Sequence, residues 1–120
     1  DPLVAGDVVE WELAATALVA GRSVVDGTVD DPLVAGVIIG KSFAADNIPA
    51  GDFGLMQVGG VNIGVITTDG SVDAGEVLIA AAAAVAKGSG TDAIGRFGVA
   101  LAADVSTTLA AGGAIIRGLI

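Results

Sequence analysis

Lysine and serine stand side by side behind a glycine in Ala35-Gly36-Val37-Ile38-Ile39-Gly40-Lys41-Ser42, which satisfies the permissive form of a phosphate-binding loop. That chemistry wraps backbone amides around a polyphosphate at a helix N-terminus, with the lysine on phosphate and the hydroxyl on magnesium. Here three consecutive β-branched residues fill the interior of the loop, and their preference for extended geometry resists wrapping. The following stretch, Phe43 to Pro49, is too short and broken for the required helix, and Asp30-Asp31-Pro32 stands upstream where a buried strand is needed. The segment reads as a strand, not a nucleotide site.

The remaining reactive constellations have plainer readings. Asp26-Gly27-Thr28 is an aspartic-protease triplet with its last two residues exchanged, and it would need a second carboxylate to share a proton. Asp-Gly in a β-rich chain marks a turn. Asp69, Asp73 and Glu76 offer oxygen ligands to calcium, but their spacing misses the helix-loop-helix pattern and fits solvated carboxylates at a hairpin tip. With no His, a serine nucleophile would need lysine as its base, and Lys41 beside Ser42 or Lys87 near Ser89 lie too close in sequence to serve. The absence of Cys and His also removes thiol chemistry and nearly every zinc or copper site. The expectation is a protein with no catalytic residues, no cofactor and no metal.

The elements that position these residues follow a repeating grammar. Ala-Gly recurs every fifteen residues at Ala5-Gly6, Ala20-Gly21, Ala35-Gly36 and Ala50-Gly51, and again at Ala74-Gly75 and Ala111-Gly112. Most pairs lead into a short apolar run, so turn followed by strand is the local message, and the first half reads as a β meander. Strands are expected at Asp7 to Leu13, Arg22 to Val25, Leu33 to Ser42, Gly54 to Val58, Val61 to Thr67, Glu76 to Ala80, Phe97 to Ala102 and Ala114 to Ile120. Gly59-Gly60 and Asp69-Gly70 are the strongest hairpin signals. Ile79 to Lys87 carries five consecutive Ala residues, good helix formers, yet it lacks a cap and a polar face; it reads as a hairpin or extended segment ahead of a short buried helix. Ser106 to Ala111 is a second short helix candidate. The hexapeptide Asp1 to Gly6 returns identically at Asp31 to Gly36, which reads as shared turn-strand grammar more than as solenoid repetition.

At 120 residues the chain makes one domain, with residues 1–6 as an extended N-terminal arm and residues 7–120 as a single β-rich unit. Trp11, Phe43, Phe53 and Phe97 are its aromatic residues, so a core of small aliphatic side chains in thin layers is expected, in a slim barrel or sandwich. Fourteen acidic against five basic residues give a net charge of −9, which argues against direct contact with nucleic acid. The longest apolar run, Val77 to Ala86, is about half of what a membrane helix needs, so no membrane partner is expected, and no signal or targeting segment is legible. Trp11 lies between Glu10 and Glu12 on an alternating strand, facing away from both, as a core residue or as an interface anchor.

Taken over most of its length, the chain resembles the capsid cement, or head decoration, proteins of tailed bacteriophages. The likeness lies in Gly6-Asp7-Val8-Val9, the apolar Val34 to Ile39 segment, Val72-Asp73-Ala74-Gly75-Glu76-Val77-Leu78, Phe97-Gly98-Val99-Ala100-Leu101-Ala102, and the closing Ala114-Ile115-Ile116-Arg117. The resemblance implies an all-β, mainly antiparallel, compact β-barrel or β-tulip-like domain with at most one or two short helices. It also implies a structural virion protein on the outer surface of the head, self-associating as a homotrimer and bound to the major capsid protein, with no catalytic residues to carry over. Leu3, Val4, Trp11, Arg22, Arg96 and Phe97 are the candidates for capsid or subunit interfaces. A β-rich fibre, tail or surface module that recognises a receptor is the alternative.

Overall fold

The structure, a computed structural model, describes residues 2–12, 24–27, 34–42, 46–82, 84–89 and 95–117. Among the described residues there is no helix, and the ladders between strands are antiparallel throughout, so the chain is an all-β protein. The first sheet holds β1 (Val8–Trp11), β2 (Val24–Asp26), β3 (Val34–Gly40) and β4 (Leu55–Gln57) in the order β2-β1-β3-β4. This corrects the meander, which would place β2 between β1 and β3. The reason is burial: Val8 and Val9 point to opposite faces and both are fully buried, which a central strand allows, whereas Val25 and Asp26 of β2 are exposed and suit an edge.

Beyond β4 come β5 (Gly60–Val61), β6 (Ile66–Thr67), β7 (Val77–Ala80), β8 (Ala86–Gly88), β9 (Arg96–Ala100), β10 (Thr108–Leu109) and β11 (Ala114–Ile116). They form a five-stranded sheet, β5-β11-β9-β7-β8, and a two-stranded ribbon of β6 and β10. Gly59-Gly60 and Asp69-Gly70 are therefore not hairpin turns. The first carries the chain from β4 in one sheet to β5 in another, the second from the ribbon to β7, and Gly60 and Gly70 each take a φ of +84° to change direction. The barrel expectation is corrected in the same way: three separate sheets surround the core without closing on one another.

The Ala-rich stretch is a hairpin. Ala81 donates to the carbonyl of Val85, and β7 and β8 pair from Leu78–Gly88 to Ala80–Ala86. Ala84 at the tip has a φ of 63°, an unfavourable region for a residue with a Cβ, and it is held there by tertiary bonds: its carbonyl accepts from Val8 N at 2.8 Å and its amide donates to Gly27 O at 3.2 Å. Ser106 to Ala111 is likewise not a helix. Ser106 turns with a φ of 58°, and Val105 and Thr108 exchange backbone hydrogen bonds on entry to β10.

One core cluster draws on all three sheets, with Val8 and Val37 from the first sheet, Ile66 and Leu109 from the ribbon, and Leu78 and Ile116 from the five-stranded sheet. Between the Leu78–Gly98 and Ile79–Arg96 pairs, β9 carries one extra residue, Phe97. By simple alternation Phe97 would share the outer face with Val99; the bulge turns it inward, where it is the largest fully buried side chain. A second, smaller cluster of Val9, Ile38 and Ile48 lies on the other face of the first sheet.

Residues 2–6 hydrogen bond within the chain. Leu3 and Ile48 exchange bonds at 2.9 and 2.8 Å, Gly6 N donates to Ile38 O, and Gly6 O accepts from Thr67 N. The carboxylate of Asp7 accepts from Val4 N at 2.9 Å. Burial pushes the Asp7 carboxyl above its ordinary value of 3.8; the bond from Val4 opposes this and the charge of Asp26 adds to it.

Asn62 is buried at 2% exposure and fully engaged. Its amide nitrogen donates to Gly64 O and Ala110 O, its amide oxygen accepts from Ala114 N, and its own backbone bonds to Ala114 O and Gly112 N. Asn62→Ala leaves the buried amide of Ala114 without its partner and removes two further bonds, and is expected to cost about 1 to 3 kcal/mol in urea unfolding. Asp7→Asn keeps an acceptor for Val4 and removes the half-buried charge. Because the Asp7 pKa is raised by folding, its ionisation penalises the fold at neutral pH, and the penalty fades as pH falls towards 3.8. The variant is expected to melt higher than the parent at pH 7, with the difference shrinking through that acid window in calorimetry.

Candidate functional site

The reactive-looking motifs become structural on folding. Residues 35–40 of the phosphate-loop pattern lie in β3, paired to β1 on one side and β4 on the other. Lys41 then reaches Asp52 at 2.7 Å, and this hydrogen bond holds the lysine above its ordinary pKa and Asp52 below its own. Ser42 donates through both its amide and its hydroxyl to Asp46, at 2.8 and 3.1 Å, with the amide chiefly responsible for lowering the Asp46 carboxyl. Both side chains are thus spent on fastening the turn after β3. Asp69 accepts from Ser71, while Glu76 accepts from the amide of Asp73. Among the described residues no three acidic side chains gather to hold a metal ion.

A groove of about 760 Å³ opens on the outer face of the first sheet, over the second cluster. Its floor includes Val24, Ile38 and Met56, and Trp11 and Phe53 contribute aromatic surface. Trp11 pairs across the ladder with Val24 and is half-buried. Phe53 is 88% exposed: the turn at residues 49–52, closed by Asp52 N donating to Pro49 O, delivers it outside any strand, and its amide donates to the Asp52 carboxylate. Among the described residues, the charged members of the lining are Glu12, Asp26 and Asp52, all acidic. β1 ends at Trp11, so Glu12 joins the same groove and the strict alternation expected of Glu10-Trp11-Glu12 stops there.

A second surface runs across the five-stranded sheet. Val61 pairs with Ile115, Ile115 with Val99 and Val99 with Val77, which sets four β-branched side chains in one row on the side away from the core. Directly opposed β-branched side chains stabilise each other across strands, yet Val61 and Ile115 remain 52% and 40% exposed. Farther along the same segment Ile63 and Val65 are also exposed and line a smaller hollow of about 320 Å³ with Ile39.

The interface candidates separate on folding. Leu3 and Trp11 come together at the groove, and Val4 is exposed nearby in sequence. Arg96 is exposed at the start of β9. Phe97 is in the core at 2% exposure, so as a surface residue it is corrected, the bulge being the cause. Arg22 lies outside the described residues. Phe53, Asp26, Asp52 and the Val61–Ile115 pair were not singled out as surface residues from sequence; the one legible signal was Phe53, an aromatic enclosed between Asp52 and Gly54 directly after the Pro49-Ala50-Gly51 turn.

Comparison of the chain with protein-family models, with curated proteins and with solved structures finds no match.

The two phenylalanines give opposite expectations. Phe97→Ala empties the centre of the core and is expected to cost about 3 to 5 kcal/mol. Phe53→Ser changes an exposed side chain and is expected to stay within about 0.5 kcal/mol of the parent. Equilibrium unfolding in urea measures both.

Proposed function

We propose that this protein is a non-enzymatic structural subunit that decorates the outer surface of a tailed-bacteriophage head, where it associates with itself as a trimer and with the shell protein. The single observation that carries the reading is the in-register row Val77, Val99, Ile115 and Val61. Apolar side chains aligned across four strands and left partly open to water favour a broad, flat contact over a reactive pocket. The row is small, but a shell offers many equivalent positions, and simultaneous attachment turns modest contacts into high avidity. The net charge of −9 favours the outside of a shell, away from packaged DNA.

A receptor-binding fibre or surface module is the second reading. The exposed aromatic of Phe53, at the groove that Trp11 also lines, favours it, because aromatic surface held open at a groove suits recognition.

Mixing purified protein with expanded empty heads of its phage distinguishes the two. Regular coating, with increased thermal resistance of the heads, is expected under the first reading; binding to cells or glycans without coating is the result of the second. Ile115 is exposed on an outer face, so Ile115→Lys is expected to preserve the circular-dichroism spectrum while lowering head occupancy about tenfold or more, as for a central interface residue. Unchanged occupancy would remove the row from the contact.

A further inference from the structure

We propose that the groove between Trp11 and Phe53 is a docking site for an extended, basic polypeptide segment in which cationic residues alternate with apolar ones. The inference rests on the groove alone and stands or falls apart from the reading above.

Charge decides the class of occupant. Among the described residues, the charged ones lining the groove are carboxylates, Glu12, Asp26 and Asp52, set around an apolar floor that includes Val24 and Met56. Acidic strands, nucleic acids and phosphorylated ligands are repelled by such a rim, and a neutral apolar segment leaves it unpaired. Lysine or arginine matches it. The aromatic surface adds to the preference, since a guanidinium or ammonium over Trp11 or the open Phe53 gains a cation–π contact that a neutral group lacks.

Shape decides the conformation. The site lies along strands, with β2 at the edge of the first sheet and β4 at its other edge. An extended segment laid there presents alternate side chains to the floor and to the rim, a spacing of about 7 Å between like residues, and a helix would present its charges in a stripe instead. Asp52 is already paired with Lys41, but both groups are exposed, so an incoming arginine competes for that carboxylate at little cost.

Trp11 is the single tryptophan of the chain, so its fluorescence reports the groove directly. The experiment titrates the full chain with a synthetic octapeptide of alternating arginine and leucine, and with a matched peptide in which glutamate replaces arginine. The expected result is a saturable shift in Trp11 emission with the arginine peptide alone, weakened by added salt. Replacing Glu12→Gln and Asp26→Asn together is expected to weaken binding about fivefold or more, as loss of two exposed ion pairs would. The control pair Asp69→Asn and Asp73→Asn removes the same charge away from the groove and is expected to leave affinity unchanged. Phe53→Ser is expected to weaken binding while the protein stays folded.

Equal weakening by the control pair would show binding to overall negative charge and would overturn the site. Equal binding of the glutamate peptide would overturn the charge argument. An emission spectrum already shielded from quenchers and unmoved by peptide would give the groove to the chain itself, and a spectrum that moves with protein concentration would give it to a second copy; either overturns the proposal.

Discussion

Hydrogen bonding of the backbone is the constraint on which this fold depends. Strands of two to seven residues and no helix among the described residues leave many amides and carbonyls outside any ladder, and each one buried without a partner is costly. Side chains supply the missing partners. Asn62 closes the region between β5 and the turn before β11. Thr68 donates to Asp104 at 2.6 Å and accepts from Gly70 N, and the same Asp104 oxygen accepts from Val72 N. Gln57, in β4, donates to the carbonyls of Gly59 and Val61 and accepts from the amide of Ile63. A glutamine of one sheet thus occupies backbone groups along the edge strand of another. It ties the two sheets together and blunts the β5 edge against pairing with foreign strands.

Once the backbone is satisfied in this way, packing can be thin. Alanines at 80, 86, 100 and 114 sit in the main core with valines and isoleucines, and among the described residues Phe97 is its one aromatic body. Small side chains let the backbones approach closely: a Cβ added at Gly98 would stand 2.5 Å from the carbonyl oxygen of Ile115, so only glycine fits between β9 and β11 there. The same economy limits how much apolar surface the interior can absorb. Valines and isoleucines needed to form strands therefore remain on the outer faces, and the row across the five-stranded sheet is where they align.

What the sequence made legible was local. Glycine-punctuated β-branched runs located β1, β3, β7, β9 and β11, and the three β-branched residues of the Lys41 motif argued correctly for a strand. Pairing partners were not legible, because a short strand carries no label for its neighbour; Gly59-Gly60 reads as a hairpin whether the next strand returns to the same sheet or crosses to another. The missing cap and polar face of Ile79 to Lys87 argued correctly for the β7–β8 hairpin against alanine's helix propensity, whereas β10 was hidden because Thr108–Leu109 is too short to show a period. The bulge at Phe97 reverses the face on which alternation places it, and the groove needs residues 11–12, 24–26 and 52–56 to meet, which no local pattern reports.

The two surfaces are electrostatically unlike, and that restricts how they can be used together. Carboxylates line the groove, whereas Lys87, Arg96 and Arg117, three of the five basic residues, belong to the five-stranded sheet or its immediate end. Arg117 directly follows β11, is exposed, and stands close in sequence to Ile115 of the apolar row. Two copies meeting through identical rows would bring that cation against its own image, in addition to the repulsion of two chains each at −9. A surface with carboxylates around an apolar patch matches the row better than a second row does. Contact between two identical rows is thus disfavoured, whereas contact of the row with an apolar surface rimmed by carboxylates, an unlike face of a second copy included, is electrostatically matched.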